Sequence, residues 1–388
     1  MSDAGAPETQ KLTTSSRDHA TMRADLERWL IDRVGAEADP RITHFEAPEA
    51  NGMSSETILF DADWDEDGER TSHRLVMRLA PAADSFPVFP RYDLTKQFET
   101  MRLVAEHTDI PVPQVMWNEP GEDALGAPFF VMRRVDGIVP PDVMPYPFGS
   151  WVTEATDEER DRLTYSTVDV LVALAAIPAP TESFGLLLQD GEPHESPLRR
   201  HVNDSRAWLD WSTGGESSPL LDRCFAWLEE HWPTVEPEPV VSWGDARIGN
   251  VMYDDFRPVA VLDWEMAALA PREVDLAWFI FLHRFFDDLT VQFGMEGMPD
   301  FIRRDQVEAA YEEASGYSPT DMDWYLMYAA TRHGIVFTRT SRRAAHFGDA
   351  EMPEDPDDAI MHRPTLEAML AGTYWTSGGR VPPTDDEG

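Results

Sequence analysis

The sequence predicts an α+β chain in two unequal halves, strands with one helix first and a larger, mostly helical half after them. Three observations predict it. Between Arg41 and Ala80, apolar and β-branched residues come in short runs, Ile42–Phe45, Thr57–Phe60 and His73–Leu79, with the length and composition of strands. From Asp157 onward apolar residues recur at helical spacing instead, as in Leu163, Val168, Leu171 and Leu174. That helical half is interrupted by two β-runs close together, Val240–Ser242 and Val259–Leu262.

Taken in order, residues 1–16 are polar and read as a disordered tail, and residues 376–388 as another. Leu26, Trp29, Leu30 and Val34 predict an N-terminal packing helix. Between the first two strands, Asn51–Glu56 is a small-residue turn whose backbone N–H groups suit a phosphate; an ordinary Asn-Gly hairpin turn reads the same way. The third strand carries Arg78 near its end, and Leu94–His107 is a helix by spacing, stopped by Pro111 and Pro113. An ion pair between Glu99 on that helix and Arg78 is the expected contact. Phe129–Gly137 is a dense apolar strand that turns polar and ends at glycine, and the Pro- and Gly-rich stretch after it reads as the connection between halves. The resulting division is 17–135 and 136–375, with Met132 and Arg133 at the hinge. Further helices are expected over Asp157–Ile177, Pro197–Trp211, Leu220–Trp232, from Asp275, over Asp305–Ser315 and over Asp323–Phe337. Trp208, Trp211, Trp227 and Trp232 are expected to pack cores.

At 388 residues, 42% of them hydrophobic, the chain is long enough to bury a sizeable interior in two lobes. It holds 32 Lys and Arg against 72 Asp and Glu, a net charge of −40. Such a surface repels nucleic acid and anionic membranes, so neither is an expected partner. The only lysines are Lys11 and Lys96, and a low-Lys, acid-rich composition is the one expected of a protein working in high salt, which screens self-repulsion. No apolar run is long enough to span a bilayer and the N-terminus is polar, so a cytoplasmic protein is expected. Cys224, the single cysteine, lies among Leu221, Phe225 and Leu228 at helical spacing and is expected as core filler.

The chemistry gathers at the two β-runs. Asp245 and Asn250 stand five residues apart, the Asp-x-x-x-x-Asn spacing of a kinase catalytic loop, and Asp263 follows an apolar β-run where kinases place a metal-binding Asp. Phosphoryl transfer needs positioning, charge neutralisation and a group that receives the acceptor's proton. Asp245 suits the last role, while Asn250 and Asp263 offer the hard oxygens magnesium prefers.

Trp243-Gly244-Asp245-Ala246-Arg247-Ile248-Gly249-Asn250 and Val261-Leu262-Asp263-Trp264-Glu265, with Pro271 and Asp275-Leu276-Ala277, resemble the aminoglycoside phosphotransferase family, nearest its acyl-CoA-dehydrogenase-associated branch. The resemblance implies a protein-kinase-like two-lobe fold with a small β-rich N-lobe and a larger helical C-lobe. It implies Asp245 as the catalytic residue, Asn250 and Asp263 as magnesium ligands, Ser54 and Ser55 in the phosphate loop, Arg78 with Glu99 as the phosphate-binding pair, and Asp275 as a brace for the catalytic loop. The family usually has His-Gly-Asp where this chain has Trp243-Gly244-Asp245. The expected activity is transfer of the γ-phosphate of ATP, with Mg²⁺, to a hydroxyl of a small aminoglycoside-like or hydroxyacyl acceptor. The alternative is a catalytically weak kinase-like protein that binds a nucleotide or metabolite. A metal-dependent hydrolase is disfavoured, because neither H-E-x-x-H nor G-x-S-x-G occurs. An aminoglycoside pocket in the helical region would draw on Asp204, Asp210, Glu216 and Asp222.

Overall fold

A computed structural model of the chain describes residues 18–46, 55–82, 85–142 and 144–375. The expected terminal tails lie outside these residues. Helix α1 (His19–Val34) starts where the Asp18 carboxylate accepts from Ala20 N at 3.0 Å and stops at Gly35, whose φ is 101°. It buries Leu26, Trp29 and Leu30 against one face of a five-stranded antiparallel sheet. The strands are β1 (Arg41–Glu46), β2 (Glu56–Glu66), β3 (Glu69–Leu79), β4 (Val115–Glu119) and β5 (Phe129–Arg133), in the spatial order β1-β2-β3-β5-β4. β2 alternates as a half-buried strand does, with Ile58, Phe60, Ala62 and Trp64 inward. It turns into β3 through Asp67-Gly68, both at positive φ (52° and 87°), the conformation a two-residue hairpin loop demands. Helix α2 (Leu94–His107), with the bounds the spacing predicts, turns Leu94, Gln97, Met101 and Val104 inward.

The second half is helical, as expected. Its helices are α3 (Trp151–Glu154), α4 (Asp157–Ala175), α5 (Pro180–Ser183), α6 (Pro197–Thr213), α7 (Pro219–Glu230), α8 (Glu273–Gln292), α9 (Arg304–Ser315), α10 (Met322–Phe347) and α11 (Arg363–Leu370). Between α7 and α8 lie two small antiparallel ladders, β6 (Pro239–Ser242) with β9 (Ala268–Pro271) and β7 (Val251–Asp254) with β8 (Arg257–Val261). α8 is buried almost all round and forms the centre of the half, packed on α10. α10 runs ten residues beyond the expected Phe337. The apolar periodicity fades there into Thr338–His346, yet nothing breaks the helix before Gly348, at φ 77°. Cys224 is buried in the core, which pushes its thiol up to about 12.

The halves are joined through the β7–β8 hairpin. Ile138 and Tyr253 exchange two backbone hydrogen bonds of 3.0 and 2.8 Å. Gly137 lies so close to the hairpin that a Cβ would fall 2.9 Å from a Val259 methyl. The Val261 N–H also donates to the Pro111 carbonyl at 2.7 Å, tying the segment after α2 to the same hairpin.

Candidate active site

Strand β6 delivers Trp243-Gly244-Asp245 and hands it to a buried carboxylate. Asp275, at the start of α8, accepts from Ser242 Oγ (2.8 Å), Trp243 N (2.7 Å) and Gly244 N (2.9 Å). Burial raises the Asp275 pKa while these three bonds pull it the other way. Gly244 has φ 91°, and a Cβ there would sit 2.0 Å from the Met266 carbonyl oxygen, so only glycine fits. Trp243, where the resemblance implies His, is fully buried, and its Nε1–H donates to the Leu262 carbonyl at 2.8 Å. Leu262 N in turn donates to the Asn250 carbonyl at 2.8 Å. One residue thus ties the tryptophan, the asparagine and the chain entering Asp263 together.

Three donors hold the Asp245 carboxylate. Trp278 Nε1 donates to Oδ1 at 2.6 Å, and Asn250 Nδ2 (2.6 Å) and Arg247 Nε (3.1 Å) donate to Oδ2. Arg247 reaches further to Asp142 on the inter-lobe connection, Nη1 to Oδ2 at 2.5 Å. Burial opposes its charge, but the carboxylates of Asp245 and Asp142 more than offset this and raise the guanidinium's pKa. Sequence reading missed Asp142, Arg247 and Trp278. Arg247 lies inside the motif, and Trp278 is one turn after Asp275, a spacing that puts both side chains on the same helix face.

Asp263 follows β8 at φ 57°, a left-handed conformation that non-glycine residues seldom adopt and that clusters at functional sites. Among the described residues its Oδ1 is buried without a hydrogen-bond partner, and the nearest cation, Arg78 Nη2, lies 3.7 Å away. Burial raises its pKa most, Arg78 opposes that, and the Asp245 charge adds to it. A buried carboxylate oxygen with no hydrogen-bond donor has a lone pair to offer a cation. Asn250 commits Nδ2 to Asp245, which leaves its amide oxygen as the acceptor. One carboxylate and one amide oxygen fit magnesium, which keeps waters and completes its shell with substrate phosphates. Among the described residues no cluster of three or more His, Cys, Asp or Glu could hold a metal by itself.

The N-terminal half contributes Arg78 from β3, whose Nη1 donates to Thr57 Oγ1 at 3.2 Å. The expected Arg78–Glu99 pair does not form. Glu99 lies off the inward stripe of α2, and Arg102, one turn on, captures it at 2.9 Å, while Arg78 turns across to Asp263. Ser54 lies outside the described residues. Ser55 precedes β2, with its Oγ buried and, among the described residues, unpartnered. Met132 and Arg133 end β5, where the Arg133 N–H already donates to the Gln114 carbonyl at 2.9 Å and the Arg134 N–H to the Arg74 carbonyl at 2.9 Å.

The four acidic residues named for an aminoglycoside pocket do not form one. Asp210 and Asp222 flank Arg206 at 3.8 and 2.7 Å, Glu216 pairs with Arg342, and Asp204 has Lys96 as its chief electrostatic counterweight. The tryptophans of α6 and α7 pack as expected: Trp208 donates to the Val88 carbonyl at 3.1 Å and Trp227 stacks on His231.

Comparison with known proteins places this geometry. The chain is 22% identical over 310 residues to acyl-CoA dehydrogenase IBR3 of Arabidopsis thaliana, an alignment covering 74% of this chain and 35% of that protein. It thus spans about a third of that relative's length, and 24% of mouse acyl-CoA dehydrogenase family member 10. Among solved structures, a Ralstonia eutropha protein described as an aminoglycoside phosphotransferase superposes with a TM-score of 0.61 at 21% identity, covering 91% of this chain and 98% of that one. Aminoglycoside 2'-phosphotransferase-IIIa, solved with GDP, superposes with a TM-score of 0.56 at 14% identity, covering 92% and 99%. Both share the kinase-like two-lobe fold. The phosphotransferase enzyme family matches residues 51–317, the span holding Arg78, Asp245, Asn250, Asp263 and Asp275, and the chain belongs to that family.

Proposed function

We propose that the protein is a nucleotide- and Mg²⁺-dependent kinase of a small-molecule hydroxyl, with ATP as donor. The observation that carries this reading is the convergence of Asp245, Asn250 and the orphaned Asp263 oxygen below Arg78. Asp245 orients the acceptor hydroxyl and takes up its proton as the oxygen bonds to the γ-phosphorus. The bond from that phosphorus to the β–γ bridging oxygen breaks, and ADP leaves. Asn250 and Asp263 would hold magnesium, which would neutralise charge on the phosphates. Arg78 grips the donor phosphates, and Arg247, pinned between Asp245 and Asp142, stands beside the transfer path. Ser55, just before β2, is the described residue assigned to the phosphate loop. With the Arg133 and Arg134 N–H groups spent, the hinge contact to the base falls to Val135 and Asp136.

The test is ADP release over a panel of aminoglycosides, sugars, amino alcohols and hydroxyacyl thioesters, at low and high salt. Asp245→Asn is expected to abolish release while leaving nucleotide binding intact; normal turnover by that variant refutes the assignment. The engagement of both Asp245 oxygens by three donors favours a second reading, a catalytically weak nucleotide-binding protein. Under it the wild type and the Asp245→Asn variant release ADP equally slowly with every acceptor.

A further inference from the structure

Arg332 belongs to the helical half. It lies on α10, 4% exposed, and among the described residues its Nε and Nη1 have no hydrogen-bond partner and no carboxylate lies in ion-pair reach. Several other arginines without a carboxylate are taken up by backbone carbonyls, as Arg23 by Ile42, Arg200 by Gln189 and Glu192, Arg339 by Pro87 and Arg343 by Ser85, while Arg272, whose Nε is also unpartnered among the described residues, lies over the Tyr317 ring at 4.0 Å. A buried charge left uncompensated is costly, and acidic residues outnumber basic ones 72 to 32 here. The two acids that feel Arg332 are committed elsewhere, Asp275 to the catalytic loop and Asp204 more strongly to Lys96.

The guanidinium sits over the Trp278 ring at 4.9 Å, and that indole donates to Asp245 Oδ1 at 2.6 Å. On the same ring lies His333, centroids 6.0 Å apart, its Nδ1 also buried and unpartnered. Two neighbouring residues with nitrogens unpartnered among the described residues thus both touch the indole that donates to the carboxylate that would orient the acceptor hydroxyl.

We propose that Arg332 anchors an oxyanion of the acceptor, so that the phosphorylated molecule is a small hydroxylated compound carrying a carboxylate or a phosphate a few bonds from its reactive hydroxyl. This rests on the phosphotransferase reading of Asp245. A polycationic acceptor meets repulsion at this point, and three of the four acids that would welcome it, Asp210, Glu216 and Asp222, are already paired with arginines.

The test is calorimetric titration with Mg·ADP saturating, so that the donor-phosphate site is filled. The probes are glycolate, 3-hydroxypropanoate and 4-hydroxybutanoate, the neutral amide of each, and the matching phosphate monoesters. The acids or the phosphates bind the wild type at least tenfold more tightly than the amides, and which series wins identifies the anion. The preference vanishes in Arg332→Met, survives in part in Arg332→Lys, and is kept by Asp245→Asn. Equal binding of acid, phosphate and amide by the wild type, or an undiminished preference in a folded Arg332→Met, overturns the proposal. The wild-type comparison decides even if Arg332→Met fails to fold. Failure of the kinase reading is separate: no ADP release with any acceptor, while the anion preference and its loss on Arg332→Met remain.

Discussion

Trp278 is the residue that gives Asp245 its orientation from outside the motif. Its hydrogen bond to Oδ1 is to a charged acceptor, of a kind that contributes about 1.5–3 kcal/mol. Replacing it with Phe keeps most of the ring and removes the donor. Trp278→Phe is expected to lower kcat about tenfold or more, with the KM for nucleotide little changed, as steady-state kinetics on both would read; an unchanged kcat removes Trp278 from the machinery. Trp243 tells a different story. A tryptophan in place of the family's His looked in sequence like a departure, and its indole N–H meets the carbonyl entering Asp263. That substitution was visible from the letters alone. The contact it makes was not, because it depends on a carbonyl 19 residues away in sequence.

At the scale of elements, the β6 and β7–β8 pieces with their short loops were legible, because apolar runs, glycines and carboxylates keep a tight local order there. The helices α2, α6 and α9 were readable from periodicity and proline stops, whereas β4, β9 and α11 were not. β4 and β9 are short, and only their pairing with β5 and β6 makes them strands. The Arg78 partner failed for a related reason. Sequence spacing places Arg78 on β3 and Glu99 on α2 but does not say how α2 is rotated, and the i, i+3 neighbour Arg102 won the carboxylate. The pairing that formed, Arg78 with Asp263, links the two halves. Asp263→Ala is expected to abolish the extra thermal stabilisation that Mg²⁺ adds to nucleotide, measured as the shift in Tm with ADP in the presence and absence of magnesium. An undiminished magnesium effect would show that the ion is held elsewhere.

Over the whole molecule, buried histidines set the acid limit. Burial depresses His283 to about 3 and His362 to about 4, from 6.5. His283 is held neutral between the Tyr146 hydroxyl and the Met298 carbonyl. Because the unfolded chain binds these protons more readily, their contribution is complete above pH 6.5 and is lost as pH falls toward the folded values. At pH 5 each depressed histidine costs about 2 kcal/mol of stability. Denaturant unfolding between pH 7.5 and 5 should show this slope, and His283→Gln should flatten it; an equal slope in the variant excludes His283 as a source. The acid-rich composition carries its own expectation. Tm should rise as KCl is raised from low to molar concentrations, and a flat or falling Tm would refute adaptation to salt. No helix among the described residues is long and apolar enough to cross a membrane.

The exchange of hydrogen bonds between Ile138 and Tyr253 has a mechanical consequence. It makes the connector a third strand on the β7–β8 hairpin, and Pro111 is fastened to that hairpin as well. Asn250 and Asp263 stand at the two feet of the hairpin, so they ride with it as one rigid arm. Arg134 is bonded into the sheet and Ile138 into the hairpin, so a swing of the sheet against this arm would bend the short stretch between them. Such a swing would change the gap between Arg78 and Asp263 while Asn250 and Asp263 move together with the hairpin.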